Sequence, residues 1–273
     1  MQKTLIATAV LACLSVPAFA DDAAPAAAAT PEHTFTANVS LTSEYIYRGI
    51  AQSARKPAIQ GGFDYSHSSG LYAGVWGSSI SWLTDGVGGD GVKAGSAPVE
   101  IDVYGGYKNT FAGGDWNYDV GVLTYNYPHS GTLSVGSNSP NTTEIYGAIG
   151  WKWLSAKYSL TTSDHIFGWG KNGGNGNTSG SGYFEVNANY DLGTGWGLVG
   201  HVGHQSIKDY SRASYSDYKL GVTKDVGFGV VALSYYDTNA HGDCNKTDVQ
   251  PYCSLQGKNL GKGAAQLSFT KTF

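Results

Sequence analysis

The sequence predicts an all-β protein, an antiparallel transmembrane β-barrel of about twelve strands with short periplasmic turns and longer extracellular loops. Three observations predict it. The chain opens as an export signal does, no later run of 18 residues is apolar enough for a membrane helix, and period-two segments of about ten residues recur to the last residue.

Lys3 is the positive start of the signal, Leu5 to Val16 its apolar run, and Ala18-Phe19-Ala20 its small-residue cleavage site. Cleavage is expected after Ala20, because the run is shorter than the roughly 20 residues of a spanning helix. Residues 21–33 are Ala- and Pro-rich without periodicity and read as a flexible leader. Residues 34–273 are then the barrel.

Composition supports strands over helices. The chain holds 39 Gly, 19 Tyr and 7 Trp but 1 Met and 14% charged residues. Only closed barrels and helices satisfy their backbone groups in lipid, so a spanning chain of this composition must be a barrel. Its formal net charge of -4 lacks the basic footprint of a nucleic-acid binder.

The strand segments begin near Thr34, Ala58, Gly70, Pro98, Asp115, Thr142, Leu154, Ser181, Gly195, Tyr215, Gly227 and Lys262. In the second, Ile59, Phe63 and Tyr65 oppose Gln60, Asp64 and Ser66. In the fourth, Val99, Ile101, Val103 and Tyr107 oppose Glu100, Asp102 and Lys108. In the eighth, Phe184, Val186, Ala188 and Tyr190 oppose Tyr183, Glu185 and Asn187. The stretches Leu71 to Ser78 and Phe228 to Tyr236 alternate poorly.

Connection lengths alternate too, which a soluble periplasmic sandwich has no reason to do. Short links fall near Ser68, Thr110 to Gly114, Lys152, Leu192 to Gly195 and Lys224 to Val226. Longer ones, Tyr45 to Lys56 first among them, are expected outside. The last segment ends on Leu267, Phe269 and Phe273. It resembles the C-terminal strand that outer-membrane assembly machinery recognises, although Lys271 stands where an apolar residue is usual. At the rim that lysine can snorkel. Outer-membrane lipid and the assembly machinery are the partners this segment implies.

Three stretches carry a family likeness: Val39 to Ile50 (Val-Ser-Leu-Thr-Ser-Glu-Tyr-Ile-Tyr-Arg-Gly-Ile), Pro57 to Tyr65 and Gly70 to Trp76, with Tyr125-Asn126-Tyr127-Pro128 further on. On these the chain resembles the TorF family of proteobacterial porins. The resemblance implies an outer-membrane location and a pore; it carries over no catalytic or ligand residue.

Other chemistry is poorly supported. His129-Ser130 with Asn138 or Asn141, and His204-Gln205-Ser206, supply the residue types of a barrel hydrolase without its pattern. His201 and His204 lie three apart, so on a strand they point to opposite faces and share no ion. They read as solvent-facing or rim histidines. Gly168 to Asn172 lacks the Ser or Thr of a phosphate loop, and Asp85 to Gly91 reads as a flexible loop more than a calcium site. Cys13 leaves with the signal, while Cys244 and Cys253 remain in an oxidising compartment with no further soft ligand. A loop disulfide is expected.

The inward inventory carries the functional expectation. Acids are Glu44, Asp64, Glu100, Asp102, Asp119, Glu144, Glu185, Asp191 and Asp217; bases are Arg48, Lys108, Lys157 and Lys219. An excess of acids favours cations in a pore, whereas pairing across a narrow barrel would close it. Trp116, Tyr118, Trp151, Tyr158, Trp196 and Tyr218 are expected on the outer face as girdle residues. The resulting expectation is a narrow passive pore for small hydrophilic solutes without a cofactor, the rival being a plugged barrel whose loops bind a partner.

Overall fold

The computed structural model describes residues 31–86, 96–130 and 138–273. The export signal, its cleavage point, most of the leader and most of the Asp85 to Gly91 run lie outside them. Twelve strands close into one antiparallel barrel. In chain order they begin with β1 (His33–Thr42), continue after a small hairpin, β2 (Ile46–Tyr47) and β3 (Ile50–Ala51), and resume with β4 (Ala58–His67) and β5 (Leu71–Ser79). There follow β6 (Val99–Phe111), β7 (Trp116–Asn126), β8 (Thr142–Trp151), β9 (Leu154–Thr161) and β10 (Gly182–Gly193). The circuit ends with β11 (Trp196–Ser206), β12 (Tyr215–Asp225), β13 (Val230–Thr238) and β14 (Ala264–Thr272).

Each barrel strand pairs with its neighbours in the chain, and β1 pairs with both β4 and β14 to close the ring. At that seam Phe273 exchanges backbone hydrogen bonds with Ala37, N–H to carbonyl at 3.3 and 2.8 Å. Strands of about ten residues, rising about 3.3 Å each and tilted near 45°, match the apolar band of about 25 Å in such barrels.

Period-two geometry sorts the side chains. Phe35, Leu41, Ile59, Phe63, Val103, Phe184, Leu220 and Leu267 are exposed on the outer face. Their strand neighbours, such as Ser40, Thr42, Glu100, Asp102, Tyr183 and Glu185, are buried in the interior. Strands β5 and β13 follow the same rule in burial although not in hydropathy. The first turns Tyr72, Gly74, Trp76 and Ser78 inward, the second Val230, Ala232, Ser234 and Tyr236. Their inner face carries apolar or aromatic side chains, so a polarity pattern misses it.

The short turns gather at one end. Between β10 and β11, Thr194 (φ 53°) and Gly195 (φ 78°) form a two-residue link in which both backbones are left-handed, as a type I′ hairpin requires. Asp191, expected inward, sits at this turn instead and accepts the Gly193 N–H at 2.7 Å. Trp116, Trp151, Tyr158, Trp196 and Tyr218 lie on the outer face, while Tyr118 is half-buried beside Tyr107 and Phe111.

The long loops pack together over the opposite end. Trp82 and Leu83 of a short helix α1 (Trp82–Asp85), Tyr127, Ile166, Tyr210, Tyr252 and Leu260 form one buried apolar cluster there. Its rings meet edge to face, Trp82 on Tyr127, and Trp169 on both Tyr210 and Tyr252, in the geometry aromatic quadrupoles favour. Cys244 and Cys253 form a disulfide in the last of these loops, with Cα atoms 5.3 Å apart.

Candidate functional site

Tyr45 to Lys56, expected outside, turns into the barrel. The reason lies in its own sequence. Arg48 (φ 46°) and Gly49 (φ 74°) make a second two-residue left-handed turn, which pairs Tyr47 with Ile50 and Ile46 with Ala51. The hairpin tip then rests on the far wall. A side chain at Gly49 would run into Asp217 and Thr238, so only glycine permits this approach.

Arg48 is the tip's anchor. Its guanidinium donates to both carboxylate oxygens of Glu144, Nη1 to Oε1 at 2.9 Å and Nη2 to Oε2 at 2.7 Å, and to Gln205 Oε1 at 2.7 Å. It also lies over the rings of Tyr47 (4.9 Å) and Tyr183 (4.1 Å). A bidentate fork with cation–π contacts on a buried side chain is a geometry that lysine could not reproduce. The base of the hairpin is tied by Arg55, which donates to Glu44 at 3.0 Å, and by Tyr45, whose hydroxyl donates to Glu100 at 2.7 Å.

Below the hairpin, the lumen holds a cavity of about 120 Å³ lined by Asn38, Ser40, Asp102, Lys157, Glu185, His201, Lys219 and Gln266, among others. Several carboxylates of the barrel interior accept from tyrosine hydroxyls, Glu144 in addition to its pairing with Arg48. Tyr104 donates to Asp64 (2.5 Å), Tyr72 to Asp119 (2.6 Å), Tyr125 to Glu144 (3.2 Å) and Tyr183 to Asp217 (2.8 Å). Asp102 differs, because its Oδ1 is buried without a hydrogen-bond partner.

The bases lie over tyrosine rings. Lys108 sits over Tyr72 at 5.0 Å, Lys157 over Tyr146 at 4.3 Å and Lys219 over Tyr236 at 5.7 Å. One tyrosine can thus offer its face to a cation and its hydroxyl to a carboxylate, as Tyr72 does for Lys108 and Asp119 and Tyr183 for Arg48 and Asp217. Room for these rings comes from glycine. Tyr104 lies directly across the strands from Gly74, Tyr72 from Gly106 and Tyr146 from Gly121, and a Cβ on any of those glycines would fall within 3.0 Å of the ring.

Apart from Asp191 at its turn, the twelve other residues expected to face the lumen fall into distinct places. Glu44 and Arg48 belong to the infolded segment, and Glu144 joins it to the wall. Asp64, Glu100, Asp102, Lys108, Asp119, Lys157, Glu185, Asp217 and Lys219 lie on strands β4, β6, β7, β9, β10 and β12. His201, which reads from the sequence as a solvent or rim residue, is a member that sequence reasoning missed. It points inward and bonds Tyr183 (2.9 Å), Asn187 (2.7 Å) and Asp217 (3.1 Å). His204 points outward to Ser216 (2.9 Å), so the two histidines lie on opposite faces. His129 and Ser130 sit in a loop where Ser96 donates to the His129 carbonyl. In the cap, burial first and then the neighbouring Tyr215 and Tyr210 push the Tyr252 phenol well above its ordinary range. It stays protonated and donates to the Ala213 carbonyl at 2.5 Å.

Solved structures place this fold in a class. The chain is similar to the porin NanC, with a TM-score of 0.52 at 11% identity over 87% of this chain and 99% of the other. It is similar to the porin KdgM, solved in complex with disordered oligogalacturonate, with a TM-score of 0.50 at 6% identity over 88% of this chain and 99% of the other. A weaker likeness, TM-score 0.44 at 12% identity over 92% of this chain and 100% of the other, joins it to an outer membrane channel from Pseudomonas putida F1. The fold is that of a porin-like outer-membrane barrel. No curated protein matches the chain. A family model described as a bacterial protein of unknown function (Gcw_chp) matches residues 26–273, and the chain belongs to that family.

Proposed function

We propose that this protein is a narrow outer-membrane channel for passive diffusion of small hydrophilic solutes, with the residue 43–57 segment as its constriction. The observation that carries this reading is the interior itself: a closed barrel whose inner face is polar and acidic, while its outer face is apolar. The likeness to the TorF porins on residues 39–76 supports the same reading, since those residues build the constriction and its flanking strands. The apolar outer face supports insertion in the outer membrane, with its lipid and the barrel-assembly machinery as partners.

Cation preference follows from how the charges are satisfied. A carboxylate held by a neutral tyrosine hydroxyl keeps its negative field in the lumen, whereas one paired with arginine does not. Asp64, Glu100 and Asp119 are of the first kind. The mechanism requires no covalent step: a solute exchanges part of its water for lumen hydroxyls and carboxylates and passes the Arg48 tip.

A second reading has its own observation. The packed aromatic cap at the loop end favours a plugged barrel whose loops bind an external partner. Planar-bilayer recording on the refolded chain separates the two. The channel reading expects small, steady, cation-selective steps; a folded barrel that stays silent would support the plug.

A further inference from the structure

We infer that the turn end of the barrel carries a divalent transition-metal site, best suited to zinc, formed by Glu32, His33 and His67. One ligand atom from each lies within 4.8 Å of the other two. The juxtaposition is set by the sheet. His33 and His67 are directly opposite in the β1–β4 register, on the outer face beside the Phe35–Tyr65 ring pair, with their own rings 5.2 Å apart. Glu32 is held at the same place by its backbone, since its carbonyl accepts the Ser68 N–H at 2.9 Å.

The donor set and its surroundings fit zinc chemistry. Both imidazoles contact a hydroxyl through Nδ1, His33 that of Tyr65 at 3.0 Å and His67 that of Ser69 at 2.7 Å, and His67 Nδ1 also accepts the Ser69 N–H at 3.1 Å. Nε2 of each ring faces the cluster; on zinc binding the His67 proton moves from Nε2, where it faces Glu32, to Nδ1 and is donated to the Ser69 hydroxyl, the arrangement in which an outer hydrogen bond fixes a metal-binding histidine. The His67 Nε2 to Glu32 Oε1 distance is 3.3 Å. Two ligands each about 2.0–2.1 Å from a tetrahedral zinc lie about 3.3–3.4 Å apart, so this edge is already at coordination spacing. His33 and Glu32 are exposed and free to close the remaining gap, and water completes the fourth position. The ion cross-links the first residues of β1 to the β4–β5 turn and fixes where the N-terminal segment meets the barrel.

The test uses the tag-free chain, residues 21–273, refolded in detergent, with Zn²⁺ alone as the titrant in calorimetry. One equivalent should bind. His33→Ala or His67→Ala should weaken binding at least tenfold, Glu32→Gln should weaken it severalfold, and His129→Ala should change nothing. Heat-modifiable gel migration shows that each variant is folded. Co²⁺ should give the visible absorption of a tetrahedral N/O site in the parent chain and lose it in the His33→Ala/His67→Ala double variant. Absence of saturable binding, or binding and cobalt colour that survive in the folded double variant, would overturn the proposal.

Discussion

At the residue scale, tyrosine governs the interior. A phenol can face a cation with its ring and a carboxylate with its hydroxyl, so it holds mixed charges in a narrow space without cancelling them. Glycine across the strand makes the space. Enlarging it should therefore be costly: Gly121→Val should displace the Tyr146 ring and destabilise the barrel by about 1–3 kcal/mol, read from urea unfolding in lipid vesicles. Arg48 is the other decisive residue. Arg48→Ala strands Glu144 in a buried position, and a loss on the order of 3 kcal/mol is expected in the same assay. Its second consequence is a freed hairpin tip, which proteolysis between residues 43 and 57 should detect as faster cleavage. Much of this was hidden in the sequence. The acids and bases on the strands follow period two, and Tyr183 reads on the same face as Glu185, but most tyrosines read as outer girdle on polarity grounds, so the inward Tyr45, Tyr72, Tyr104 and Tyr125 escape notice. His201 escaped for a related reason: spacing separated it from His204 but did not say which of the two faced inward.

At the scale of elements, strands were legible and loops were not. Strand starts read from alternation fall within a few residues of those in the structure, including β5 and β13, where burial alternates and hydropathy does not. The infolded hairpin was missed because connection length says that a loop is long, not where it goes. Only the contacts of Arg48 and Gly49 with the wall decide that. The two faces of a strand predict different outcomes for a new charge. Val120→Arg, on the outer face near the middle of β7, should cost about 2–4 kcal/mol in vesicle unfolding, while Asp64→Asn on the inner face of β4 keeps an acceptor for Tyr104, should leave stability nearly unchanged and should weaken cation preference. The disulfide belongs to this scale as well. Cys244 and Cys253 are nine positions apart, and removing the bridge should destabilise that loop by about 2–3 kcal/mol. Limited proteolysis of Cys244→Ser/Cys253→Ser should cut within residues 239–263 while the barrel remains intact.

At the scale of the molecule, the proposed path runs through the barrel past the infolded hairpin, with Arg48 at its constriction. Twelve strands enclose an interior between one filled by side chains and an open water channel, so the hairpin decides the bore. The acidic lining then decides which ions use it. The most direct test is single-channel recording of the refolded chain and its Arg48→Ala variant in planar bilayers under a potassium chloride gradient. A reversal potential of the sign for cation flow, with larger unitary steps in Arg48→Ala than in the parent chain, is the result this account predicts. Anion selectivity, or identical steps in the two folded proteins, would contradict it.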